Sequence, residues 1–166
     1  MGGAPFPFHF HGSSSLKHIL ASLFVALAAV ACATEEKPPA PAPVACKPAP
    51  EELVTKDVEP GQGDPVKFKS AVLVRYTGWL YDGCKPDLKG AKFDSNEDKP
   101  IPFGLIVGAG RVIRGWDEGL LGMKEGGKRL LVIPASKAYG QRGVPGRIPP
   151  NSALVFEVQL AKIIQR

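Results

Sequence analysis

Residues 51–166 contain no histidine and one cysteine, Cys84, and their serines have no imidazole to activate them. Ser–His and Cys–His nucleophilic arrangements are therefore excluded from this stretch. No Walker motif is present, and the glycine-rich VGAGRVIRG lacks the G-x-G-x-x-G spacing of a dinucleotide loop. There is no CxxC and no Cys/His cluster with zinc spacing, so neither a metal nor a cofactor is expected. What the stretch does offer is aromatic surface at strand and loop positions: Tyr76, Phe93, Phe103, Trp116, Tyr139 and Phe156, with Asp94 directly after Phe93. Periodicity by itself reads the rings as core packing and Asp94 as a turn former. Any chemistry left to them is non-covalent.

The elements that must position these residues follow from alternation and punctuation. Residues 53–58 read as a modest strand, closed by the turn cluster Pro60, Gly61, Gly63, Asp64 and Pro65. The run AVLVRYTGWL, 71–80, sets Val72, Val74 and Tyr76 on one face against Leu73, Arg75 and Thr77 on the other, and predicts a central strand. Lys92 and Phe93 begin a short strand that Asp94, Ser95 and Asn96 interrupt, and extended structure resumes over 103–107. Val112, Ile113, Trp116 and Leu120, with Asp117 and Glu118 opposite, predict one short amphipathic helix that Gly122 stops. Residues 129–133 form an apolar strand ending at Pro134, 140–150 a Gly/Pro-rich loop, and 154–163 a last strand with Leu154, Phe156, Val158 and Leu160 inward. Many strands and one helix predict an α+β domain, an antiparallel five- to six-stranded sheet wrapped around a single short helix.

The 166 residues are 44% hydrophobic and 22% charged, the balance of an ordinary globular protein, and residues 51–166 are enough for one core. The net charge of +5 is spread singly, without the basic runs of a nucleic-acid patch, so no nucleic-acid partner is expected. The run ILASLFVALAAVA, 19–31, follows Lys17, ends in small residues and is too short to span a bilayer, which marks residues 1–31 as a secretory signal peptide. The stretch upstream is unlike a basic n-region, and a start at Leu16 would give a compact one. Cys32 follows Ala29, Val30 and Ala31 in the manner of a bacterial lipobox, with Ala29 where leucine is usual; the same residues suit release as a soluble protein. Either outcome exports the chain, to the periplasm or to a lipoprotein anchor in a bacterial envelope. Residues 32–50, dense in proline, read as a linker or lipid tether, and the absence of a periodic arm makes a monomer the expectation. With Cys32 lipidated, Cys46 and Cys84 remain and could pair, at a distance that the sequence does not set.

The local wording says more than periodicity. VRYTGWLYDG, KFDSN, VIRGWDEGL, KAYGQRG and IPPNSALVFEVQL follow one another in this order. Together they resemble the FKBP-type peptidyl-prolyl cis-trans isomerases, the macrolide-binding immunophilin family, over residues 55–163. The resemblance implies a sheet wrapped around one helix with an apolar pocket between them, catalysed rotation of X–Pro bonds in exported polypeptides, Pro-containing folding chains as partners, macrolides as ligands, and no cofactor. Carried over residue by residue, it makes Trp116 the pocket floor, with walls from Tyr76, Phe93, Phe103, Val112, Ile113 and Phe156 and with Tyr139 and Ile148 added by loops. Asp94 matches the family's acidic pocket residue, and the Ile113 N–H its donor to a ligand carbonyl. Tyr76, Phe93, Asp94 and Tyr139 are then the candidate catalytic residues and the others the substrate-binding ones. The same pocket could instead serve a non-catalytic module that holds Pro-containing segments. Residues 84–91, CKPDLKGA, lengthen a turn that is expected to bulge beside the pocket, Arg147 replaces an apolar rim residue, and the 140–150 loop is too short to hold the chaperone domain that some relatives insert there.

Overall fold

The computed structural model describes residues 45–164; the signal-peptide, start-site and Cys32 readings lie outside the described residues. Among the described residues there are six strands, β1 (Val54–Glu59), β2 (Ala71–Tyr81), β3 (Lys89–Ser95), β4 (Phe103–Ile106), β5 (Lys128–Ile133) and β6 (Leu154–Ile164), and one α-helix, α1 (Arg114–Gly119). They form one antiparallel sheet in the order β1-β5-β6-β2-β3, and β4 pairs with the first half of β2. The expected α+β architecture of an antiparallel sheet around one short helix is the one observed. Its core joins the inward faces of β2, β5 and β6 to the helix: Val72, Val74, Leu131, Ile133, Leu154, Val158 and Leu160 are buried together with Trp116, Leu120 and Met123. Alternation along β2 and β6 reflects this one-sided burial, since successive side chains point to opposite faces; Val155, on the other face of β6, is buried too.

The local differences from expectation have physical causes. Asp94 and Ser95 do not interrupt β3, which begins at Lys89 and includes both; they pair with Gly78 and Thr77, and the Thr77 and Ser95 hydroxyls lie 2.9 Å apart across the ladder. The strand ends at Asn96, whose side chain takes over the ladder: Tyr76 N–H donates to Asn96 Oδ1 at 2.6 Å and Asn96 Nδ2 donates to the Val74 carbonyl at 3.0 Å. The helix is shorter than its apolar spacing predicted, because Ile113 is still extended (ψ 145°) and only Arg114 begins the turn. Val112 and Ile113 therefore belong to the loop before the helix. That loop is fastened by Asp117, which accepts the Gly108 N–H at 2.7 Å and the Gly110 N–H at 3.0 Å.

The helix packs closely on β5 because its contact face is glycine. A Cβ on Gly119 would meet Leu131 Cδ2 at 2.9 Å, and one on Gly115 would overlap the Ile133 side chain. Arg129 on β5 completes the junction, donating from Nη1 to the Gly119 and Leu121 carbonyls at 2.8 Å each and from Nε to Asp57 on β1 at 2.6 Å. The bond to Arg129 holds the Asp57 carboxyl below its ordinary range.

Cys46 and Cys84 are joined in a disulfide, and Lys47 N–H donates to the Gly83 carbonyl at 2.9 Å while the Tyr81 hydroxyl donates to the Pro48 carbonyl at 2.9 Å. The contacts of the folded unit thus reach back to residue 46, into the stretch that composition alone assigns to the linker.

Candidate functional site

Between the helix and the concave side of the sheet lies a cavity of about 220 Å³, lined by Tyr76, Phe93, Asp94, Phe103, Arg111, Val112, Ile113, Trp116, Tyr139 and Phe156. Ligand pockets for drug-sized molecules run to about 300–1,000 Å³, so this one suits a single ring or side chain. A larger, open groove of about 680 Å³ runs past residues 62–71 and the end of β6. It gathers exposed lysines around Phe68 and has no comparable convergence of rings.

Each wall has an evident origin. Trp116 is held at the base by the glycine-mediated approach of α1 to β5, and only 4% of it is exposed. Around it Tyr76 stands edge-on at 5.0 Å and 83° between ring planes, and Phe156 at 5.3 Å and 85°. Phe93 in turn meets Phe156 edge-on at 5.6 Å, and Phe103 lies 6.2 Å from Trp116. Perpendicular packing suits the quadrupoles of the rings and fixes each one by its neighbours. Gly78, between Tyr76 and the bend of β3, leaves room for this cluster, since a Cβ there would fall 2.7 Å from Phe156 Cε1 and 2.8 Å from Phe93 Cζ.

The polar groups are few and directed. Tyr76 donates from its hydroxyl to Asp94 Oδ2 at 2.8 Å, while Asp94 Oδ1 accepts the Ser95 N–H at 3.0 Å. Burial, this hydrogen bond and the Asp94 charge all raise the Tyr76 pKa, so the phenol keeps its proton. Burial raises Tyr139 as well, with Asp94 adding to the effect and Arg147 opposing it. Tyr139 is 40% exposed at the rim, and its hydroxyl has no partner among the described residues. The Ile113 N–H likewise donates to nothing within them. Trp116 Nε1 is buried without an acceptor among the described residues. The arrangement is an apolar, aromatic-walled slot with free donors at its edge, able to bind, desolvate and orient, and without a nucleophile.

Nine of the ten residues named from sequence line this cavity. Ile148 does not: it is 5% exposed and turned toward Leu80 and Val144, packed in the core and beneath a neighbouring depression. The tight turn 144–148, closed by reciprocal hydrogen bonds between Val144 and Ile148, folds it inward. Residues 84–91 do not line the cavity, contrary to the expected bulge beside it; 89–91 open β3 and the rest form the turn before it. In the β2–β3 ladder Gly78 faces Asp94 whereas Tyr81 faces Lys89, so the turn begins three residues, roughly 10 Å at about 3.3 Å per residue, farther along β2. Two residues escaped the sequence reading: Arg111, whose charge and position between glycine and valine mark it only as loop, and Asn96, buried to 2% exposure, whose role depends on a partner strand twenty residues away.

Comparison with known proteins agrees with this geometry. A family model described as FKBP-type peptidyl-prolyl cis-trans isomerase matches residues 62–161. An FK506-binding protein of Neisseria meningitidis serogroup A is 45% identical over 113 residues, covering 68% of this chain and 97% of that protein. FK506-binding protein 2 of Dictyostelium discoideum is 40% identical over 148 residues, covering 89% of this chain and 99% of that one. The crystal structure of FkpA from Escherichia coli superposes with a TM-score of 0.57 and 43% identity, over 67% of this chain and 47% of that one, so the chain spans about half of that structure.

Proposed function

The chain belongs to the FKBP-type peptidyl-prolyl cis-trans isomerases, and from that premise we propose that the cavity over Trp116 is where the X–Pro bond turns. The observation that carries this reading is the convergence of six aromatic rings and one Tyr76–Asp94 hydrogen bond on a single aromatic-walled slot. Rotation about an X–Pro amide is slow because the C–N bond has double-bond character, with a barrier of about 18–20 kcal/mol. The twisted amide has lost resonance and returned charge from its oxygen, so it is less polar than the planar form and better matched to aromatic walls. Trp116 receives the prolyl ring. Phe93, Phe103, Val112 and Phe156 exclude water around it, and the free Ile113 N–H and Tyr139 O–H hold neighbouring carbonyls. Asp94 fixes the Tyr76 ring and places a negative field beside the turning bond. No group passes through a change of protonation.

The substrates on this reading are Pro-containing segments of folding polypeptides, and macrolides, the ligand class named for several relatives, compete for the slot. The test is the cis-to-trans rate of a Leu-Pro-Phe reporter peptide with the purified protein. Acceleration that a macrolide abolishes, and that drops roughly tenfold or more in Trp116→Leu, about 1.4 kcal/mol or more of transition-state stabilisation, is the expected result. A folded Trp116→Leu variant with full activity would move the reaction out of this cavity.

The setting for this activity is export. On this reading residues 1–31 are a cleaved signal, Cys32 carries lipid or the chain is released soluble, residues 32–45 are the tether, and the isomerase domain works as a monomer on exported proteins. Support comes from the Cys46–Cys84 disulfide, a bond that persists in oxidising compartments. Mass spectrometry of the mature N-terminal peptide should find it starting at residue 32, with or without a diacylglyceryl adduct; an uncleaved leader would sink the assignment.

A further inference from the structure

Six arginines fall among the described residues, and they divide cleanly. Three serve the fold: Arg75 donates from Nη1 to the carbonyls of Asn96, Glu97 and Lys99, Arg114 pairs with Glu118, and Arg129 ties Asp57 to the end of the helix. The side chains of the other three, Arg111, Arg142 and Arg147, make no hydrogen bond or ion pair among the described residues, and all stand on the two loops that frame the aromatic cavity. Arg111 is part of its lining. Arg142 and Arg147 line the depression over Ile148, and the Arg147 charge reaches both Tyr76 and Tyr139.

These are not waving side chains on mobile backbone. The loop that presents Arg111 is pinned through Gly108 and Gly110 to Asp117, and the turn that presents Arg147 is closed by hydrogen bonds from the Arg147 and Ile148 N–H groups to the Val144 carbonyl at 3.0 and 2.8 Å. The carboxylates nearby are engaged: Asp94 with Tyr76, Asp117 with the two glycines, Glu118 with Lys137 and Arg114. The mouth therefore carries forked cationic donors that pair with no acid among the described residues, while the one carboxylate in the cavity lining, Asp94, is held by Tyr76 and the Ser95 N–H. Guanidinium groups recognise carboxylates through paired N–H donors.

Resting on the assignment of the prolyl site to this cavity, we propose that Arg111 and Arg147 select substrates in which an aspartate or glutamate adjoins the proline. Both side chains are exposed, so the selectivity is electrostatic, moderate and sensitive to salt. The experiment measures kcat/KM on neutral-capped reporter peptides with Glu-Pro, Leu-Pro and Lys-Pro, at low salt and at about 0.5 M salt, where the Debye length falls to a few ångströms. The expected result is a Glu-over-Lys preference of about fivefold or more at low salt, collapsing below about twofold at high salt. The preference should flatten in Arg147→Gln, invert in Arg111→Glu combined with Arg147→Glu, and persist in Arg111→Lys. Turnover of Leu-Pro with equal rates for Glu-Pro and Lys-Pro would overturn the selection while leaving the prolyl site standing. Absence of turnover for every peptide would overturn the site and the selection together.

Discussion

Tyr76 is held at both ends. Its hydroxyl rests on Asp94 and its backbone N–H on Asn96, so the ring that forms one side of the slot is fixed without being made reactive. If Asp94 acts by position and field, Asp94→Ala should lower kcat/KM roughly tenfold, the scale of one lost charge-assisted hydrogen bond, with macrolide binding retained. A fall to the uncatalysed rate with the pocket intact would instead indicate obligatory proton transfer. The same logic governs pH. The described residues hold no histidine, and both pocket tyrosines titrate above their ordinary range, so kcat/KM should stay flat from about pH 6 to about pH 9; a bell-shaped profile would count against a reaction without acid or base. Most of these residues were legible because they sit in short, ordered phrases such as VIRGWDEGL. Ile148 and Asn96 were not, since whether a loop residue turns into a cavity or into the core is settled by contacts far along the chain. Nothing local distinguishes a polar strand breaker from a buried Asn that completes a ladder.

At the scale of elements, the site depends on how near a six-residue helix can come to a strand. Gly115 and Gly119 set that distance, and Arg129 caps the helix end while tying it to β1. Gly115→Ala should therefore destabilise the domain by roughly 1–3 kcal/mol, the cost of overpacking, and should lower kcat/KM beyond that of a surface helix variant such as Glu118→Ala, because Trp116 moves with the helix. Equal activity of a folded Gly115→Ala variant would show that the floor tolerates displacement. The strands were readable from alternation because the sheet buries mainly one face, with Val132 and Val155 buried on the other. The helix start was misplaced because Val112 and Ile113 continue the helical spacing of apolar residues while facing the cavity from an extended loop; both arrangements bury the same side chains. β3 was cut short for the complementary reason, that Asp94 and Ser95 carry turn chemistry yet find cross-strand partners in Gly78 and Thr77.

At the scale of the molecule, one covalent loop closes over 38 residues, from Cys46 to Cys84, and encloses β1 and β2. Constraining the unfolded chain in this way is worth roughly 3–4 kcal/mol in the chain-entropy model. Cys46→Ser combined with Cys84→Ser should lose about that much unfolding free energy in denaturant titrations, while kcat/KM in the cold stays within about twofold, since the bond lies well away from the aromatic cavity. A large loss of activity in the folded double variant would mean that the turn communicates with the slot. The bond also fixes the path of tension. β1 is an edge strand with every residue exposed, the kind that peels first when a domain is pulled from its N-terminal side. Here a pull on the segment before residue 46 bypasses β1 and enters at Cys84, at the head of β3. Stretched between handles at residues 45 and 164, the oxidised protein should hide the enclosed loop and the reduced one release it, a gain of about 130 Å of contour at about 3.5 Å per residue. A domain hung from a surface by its N-terminal segment would thus carry load through sulfur rather than through its weakest strand.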